Sequence, residues 1–169
     1  MSLKKKLDQN TEALLAKIGE IADEHFHENP DAETWSPAQV LEHLYRSEFG
    51  LTKLFAGETR KDPDRDTEQV IQNMRVQMLE NEKKMEARGI ILPGNENKSK
   101  EELTSNFRSL REKIAIMADQ YDDKEVCTEF KHPIYGYMTR EEWVHFNIFH
   151  TKRHMGQIDR ILAMLRDQQ

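Results

Sequence analysis

His150 and His154 stand four residues apart in the segment from Thr139 to Leu165. On a helix that spacing puts them one turn apart, about 40° around the axis. Two imidazoles so placed can bind one metal ion. A third imidazole, His43, lies far upstream, behind a helix start of its own. Three imidazoles around one divalent ion leave at least one coordination position for water or substrate. Such an ion can act as a Lewis acid, or deliver hydroxide or thiolate near neutral pH. The same residues also admit a plainer reading. An i,i+4 histidine pair is a weak signal by itself, and buried imidazoles often serve ordinary core hydrogen bonding.

The elements that must position these rings are legible. Thr139 and Glu142 form a capping box, so a helix begins there. Phe146, Ile158, Ile161 and Leu165 then recur at helical spacing as its buried stripe. Trp143, His150, Gln157 and Met164 share one heptad register, and Asn147, His154 and Ile161 share the adjacent one. Both histidines therefore belong to the face that is buried. Upstream, Ser36 is a strong N-cap, Pro37 suits the first helical position and Gln39 closes a second capping box. That helix is expected to run to about Phe55 and end at Gly57, with Val40, Leu44, Ser47, Leu51, Leu54 and Phe55 inward. His43 falls on the edge of the stripe. The three imidazoles converge if these two helices are neighbours.

The remaining pattern is helical too. Leu7, Leu14 and Ile21 recur every seven residues, with Ile18 beside them, and predict a first amphipathic helix from Leu3 to about His25. Asn29-Pro30-Asp31 breaks it. After a charged linker at 61–66, a third helix is expected from Thr67 to Ala87, marked by Val70, Met74, Met78 and Met85. Its thin, Met-rich stripe reads as a peripheral helix ahead of the alternative, a flexible wall over a binding site. Gly89 to Asn95 is a loop with an apolar middle. Ser99 with Glu102 starts a fourth long helix through Leu103, Phe107, Leu110, Ile114 and Met117, to about Gln120. Tyr121 to Met138 reads as irregular. The pattern is all-α, with four long helices and one extra connecting helix. The whole chain, 1–169, is expected to be a single domain.

Other chemistry-bearing residues read more blandly. His25 and His27 suit a helix C-terminus, His145 points away from His154, and His132 lies in the irregular segment, where a turn or surface role is expected. Asn147, Gln157 and Ser47 are candidates to orient the ring nitrogens or to contact substrate. Glu42 points about 100° away from His43 and is a weak general base. Arg153 is expected on a solvated face, and Cys127 reads as structural.

Composition narrows the function classes. A net charge of -6 argues against a nucleic-acid surface. No run of about 18 apolar residues predicts a membrane span. Met1 to Leu7 is basic without an apolar stretch behind it and does not read as a signal peptide. A lone cysteine makes a reducing cytoplasm the expected compartment.

Two motifs carry a resemblance. Trp35-Ser36-Pro37 leading to His43-Leu44, and His132-Pro133 with Gly136, Glu142-Trp143, His150, Arg153-His154 and Gln157-Ile158, together resemble the DinB-like (YfiT-like) metalloprotein superfamily. The resemblance implies an up-down-down-up four-helix bundle that commonly dimerises. It also implies a zinc- or nickel-type divalent metal bound by His43, His150 and His154. Characterised members include thiol-dependent S-transferases and isomerases that use a low-molecular-weight thiol as co-substrate. The expected function is therefore a metal-dependent S-transferase or hydrolase acting on a small electrophile, with a small molecule as substrate. The alternative is a non-catalytic, stress-related metal-binding protein whose ion is structural. The stretch from Thr67 to Lys98 matches none of the family motifs.

Overall fold

The computed structural model describes residues 1–81, 92–94 and 97–169. Its helices are α1 (Leu3–Gly19), α2 (Asp23–Phe26), α3 (Pro37–Glu48), α4 (Leu51–Ala56), α5 (Thr67–Arg75), α6 (Lys100–Gln120) and α7 (Arg140–Asp167). A π-helical turn, Val76–Glu80, extends α5. Strands β1 (Thr59–Arg60) and β2 (Val126–Cys127) pair antiparallel, Thr59 opposite Cys127 and Arg60 opposite Val126. The fold is all-α, as the periodicities predict.

The caps fall where the sequence places them. Ser36 and Gln39 exchange hydrogen bonds at the start of α3, and Thr139 and Glu142 do so at the start of α7. Ser99 caps α6 by accepting from the Glu102 amide. Three helix lengths differ from expectation. The first helix stops at Gly19, and the segment up to His27 forms a separate turn, α2. The second is divided at Phe49 and Gly50 into α3 and α4. A glycine costs a helix backbone entropy, which explains both stops. The third is α-helical only to Arg75. Residues 82–91, including Met85 and the expected end at Ala87, lie outside the described residues, as does part of the Gly89–Asn95 loop.

Helices α1 and α3 each pack against both α6 and α7, while α5 and its π turn lie against α7. The core falls into two apolar clusters. Leu7, Leu51, Phe55, Ile114 and Phe149 belong to one, and Leu14, Leu44, Phe107, Ile158 and Leu165 to the other. A polar layer separates them. Arg111 donates from Nε and Nη2 to the two oxygens of Glu48 at 2.5 and 2.7 Å. It also reaches Asn10 at 3.0 Å, Thr11 at 3.3 Å and Thr151 at 2.6 Å. These side chains come from α1, α3, α6 and α7, so one guanidinium ties all four long elements at mid-height. Arg111 and Glu48 are fully buried, and a bidentate pair with its remaining donors satisfied is the arrangement in which such burial is tolerated. Among the described residues, no helix is long and apolar enough to cross a membrane.

Candidate metal centre

His43 sits in the second turn of α3, where the Ser36–Gln39 box and Pro37 define the helix start. The box is reinforced from outside, since Asn29 Nδ2 donates to Gln39 Oε1 at 2.6 Å. The half-buried ring of Trp35 lies 5.2 Å from that of His43. On the other side, the start of α7 is held in two ways. Arg65 clamps the capping carboxylate of Glu142 with two donors at 2.7 Å. Arg140 donates to the Phe55 carbonyl at 3.0 and 2.8 Å, satisfying the end of α4. Both helices that carry the histidines are therefore fixed in register before the rings are considered.

The three rings meet. His43 Nε2 lies 3.2 Å from His150 Nε2 and 3.1 Å from His154 Nε2, and the last two are 3.0 Å apart. His43 and His150 are buried and His154 is half-buried. A neutral imidazole nitrogen either carries a proton or offers a lone pair, never both. Three nitrogens in one triangle cannot all satisfy one another. Any assignment leaves one pair facing lone pair to lone pair, or hydrogen to hydrogen. A divalent cation removes that conflict, because all three nitrogens then present lone pairs to it. The separations suit ligands sharing one ion with metal–nitrogen bonds of about 2.0–2.1 Å. The donor set thus fits a metal.

Electrostatics points the same way. Burial, followed by the neighbouring His154 and His43, holds His150 well below the ordinary imidazole range. Burial and then His43 bring His154 down to about 4. Both rings are neutral at pH 7, the form that ligates. Gln157 Oε1 lies 2.6 Å from His154 Nδ1. The amide oxygen can only accept, so Nδ1 carries the proton and Nε2 is left with its lone pair toward the cluster.

The other candidates separate clearly. Asn147 is buried one turn before His150, and its Nδ2 has no partner among the described residues. Ser47 is half-buried and donates to the Leu44 carbonyl at 2.8 Å, within its own helix. Glu42 is buried and turned elsewhere, accepting from Gly94 N at 3.1 Å and Lys98 Nζ at 3.3 Å. His145 is half-buried rather than a plain surface residue. It stays apart from the cluster, with Nδ1 donating to the Glu141 carbonyl at 3.0 Å. His132 has the expected turn role, its Nδ1 accepting from the amides of Ile134 and Tyr135 at 3.1 and 3.2 Å. Cys127 is buried, and burial pushes its thiol up to about 11. Arg153 is not on a solvated face. It donates to the carbonyls of Met78 at 2.9 Å and Asn81 at 3.0 Å. It therefore pins the π turn beside α7.

The Glu48–Arg111 layer escaped the sequence reading. Its signal was there: Arg111 interrupts the Phe107–Ile114 stripe, and Glu48 lies one turn after Leu44 on the inward side of α3. The layer is next to the histidines through Thr151, which follows His150. A cleft lined by Ser36, Gln39, Glu42, Gly94, Lys98 and Leu103 contains none of the three ligand candidates.

The chain is similar to the uncharacterized protein YuaE of Bacillus subtilis (strain 168), 23% identical over 141 residues that cover 83% of this chain and 85% of that protein. No solved structure gives a significant match. The family model of the DinB superfamily matches residues 6–158, from early α1 to the fifth turn of α7, a span that includes all three histidines. The three-histidine cluster fits a metal-binding protein, and the chain belongs to the DinB superfamily.

Proposed function

We propose that the protein is a metal-dependent enzyme acting on a small electrophile, with His43, His150 and His154 holding one divalent ion of the zinc or nickel type. The observation that carries this reading is the meeting of three Nε2 atoms at 3.0–3.2 Å, an arrangement that hydrogen bonding among the rings cannot satisfy. Bound there, a divalent ion supplies Lewis acidity and lowers the pKa of a thiol or water. The chain's own part is to keep His150 and His154 neutral by burial, to aim His154 through Gln157, and to hold α3 and α7 in register. With three protein ligands, a coordination position is left for a co-substrate. By similarity to thiol-dependent relatives, a low-molecular-weight thiol is the first co-substrate to try.

Purified protein should take up one divalent ion per chain, and His150→Ala should abolish both the uptake and the turnover of thiol with a small electrophile. Full activity in a variant lacking all three histidines would overturn the proposal. Burial of His43 and His150 favours a second reading, in which the ion only ties α3 to α7. That reading requires chelation to lower the melting temperature while no thiol or ester substrate turns over.

A further inference from the structure

Two of the three histidines are each preceded in the chain by a residue that holds a different segment. Arg153 precedes His154 on α7. Its Nη1 donates to the carbonyls of Met78 at 2.9 Å and Asn81 at 3.0 Å, at the end of the π turn. Glu42 precedes His43 on α3. Its carboxylate accepts from the Gly94 amide at 3.1 Å and from Lys98 Nζ at 3.3 Å, on the approach to α6. Arg46, one turn further along α3, brings its Nε to 3.5 Å from the same carboxylate. Glu42 is buried, so this contact is set in the packed part of the molecule. Gly94 is a close fit against it. A Cβ at that position would lie 2.5 Å from Arg46 Nη2 and 3.1 Å from Glu42 Oε1.

These two attachments meet at the cluster, where His43 Nε2 and His154 Nε2 are 3.1 Å apart. Without an ion, the three imidazole nitrogens cannot all be satisfied, and the unmatched pair pushes α3 and α7 apart at this level. An ion bound at about 2.0–2.1 Å from each nitrogen draws the same two helices together. Interiors are close-packed, so a small shift of one helix on another is passed to the groups that its side chains hold. Such a shift carries Glu42 with α3 and Arg153 with α7. The π turn is suited to respond. π turns are rare, and Arg153 holds this one from outside its own helix.

We propose that metal binding is linked to the seating of these two segments, with Arg153 and Glu42 as the positioning residues that link them. The ion fixes α3 against α7, and so fixes the π turn through Arg153 and the Gly94 segment through Glu42. The inference rests on the metal reading. Linkage is reciprocal: whatever factor the ion contributes to holding a segment, the held segment contributes to metal affinity. Charge alone predicts the opposite for Arg153. Its positive field acts on His154 so as to disfavour further positive charge there. Removing that field by itself would tighten binding of a divalent cation. Linkage makes the loss of Arg153 weaken it, so the two accounts differ in sign.

Zinc(II) is the probe, added to the full chain, with amide exchange followed by NMR and affinity measured by chelator competition. Saturating zinc should slow exchange of the amides of 76–81 and of Gly94 in the wild-type protein. Arg153→Met should lose the slowing at 76–81, keep it at Gly94, and bind zinc about tenfold more weakly. Arg153→Lys keeps the charge and a donor, and should recover most of that affinity. Glu42→Leu should lose the slowing at Gly94 and keep it at 76–81. Wild-type exchange decides the question even where a variant does not fold. Zinc bound with exchange unchanged at both segments would overturn the linkage and leave the metal reading standing. So would an Arg153→Met protein that binds zinc as tightly as wild type, or more tightly. Absence of zinc uptake by the wild-type protein would overturn the metal reading itself.

Discussion

Glu48 and Arg111 form a two-pronged ion pair at 2.5 and 2.7 Å in the middle of the core, one residue removed from His150 through the Arg111–Thr151 hydrogen bond. Burial pushes the Glu48 carboxyl up, and Arg111 pulls it down. Removing one partner leaves the other charge buried and uncompensated. Arg111→Met should therefore destabilise the protein by about 3–5 kcal/mol. The double variant Glu48→Leu/Arg111→Met should recover much of that loss, since two apolar side chains replace two charges. Urea denaturation of the four proteins in the cycle checks both statements. A double variant as unstable as the single one would mean that the pair contributes more than the relief of each charge by the other.

Gln157 should matter to metal binding more than to folding. Its Oε1 sets which nitrogen of His154 carries the proton. Gln157→Leu frees that choice, and metal affinity should fall about 10–100-fold. Gln157 is half-buried at the edge of the core, so the melting temperature of metal-free protein should change little. Competition against a chromophoric chelator measures the first quantity and calorimetry the second.

His132 should make the metal-free protein acid-sensitive. Burial lowers its pKa to about 4 in the folded state, against an ordinary value of 6.5. Between those two pH values the unfolded chain binds the extra proton, so stability is full above 6.5 and declines as pH falls toward 4. His132→Asn keeps an acceptor for the Ile134 and Tyr135 amides and removes the titration. Denaturation midpoints across that window should therefore fall less steeply in the variant than in wild type. Equal slopes would assign the acid sensitivity to other groups.

Cys127 should be inert while the protein is folded. Its thiol is buried and raised to about 11, and its amide is engaged with the Met138 carbonyl at 2.9 Å. At pH 8 the thiolate fraction is small and shielded, so iodoacetamide should modify the native protein far more slowly than the urea-unfolded chain. Mass spectrometry after timed quenching distinguishes the two rates.

Much of this molecule was readable along the chain, because caps and helical stripes are local. Ser36 with Gln39 and Thr139 with Glu142 satisfy backbone groups within four residues, so their partners are in the same short stretch. Leu7, Leu14 and Ile18 betray a buried face through spacing alone. The same locality explains the errors at helix ends. The division at Phe49–Gly50 and the π turn at Val76–Glu80 depend on what packs across them, as Arg153 does on the Met78 carbonyl of the π turn.

The sequence by itself determined that this is an all-α chain, with His150 and His154 on one buried face and His43 anchored near the start of another helix. Only the tertiary structure decided that the three Nε2 atoms meet within 3.2 Å, that Gln157 orients one ring, and that Arg111 binds Glu48 across the core. The reason is distance along the chain. His43 and His150 are 107 residues apart, and Arg111 and Glu48 are 63 apart. Helical periodicity says which way each side chain faces on its own cylinder, but the packing of one helix on another chooses which faces meet.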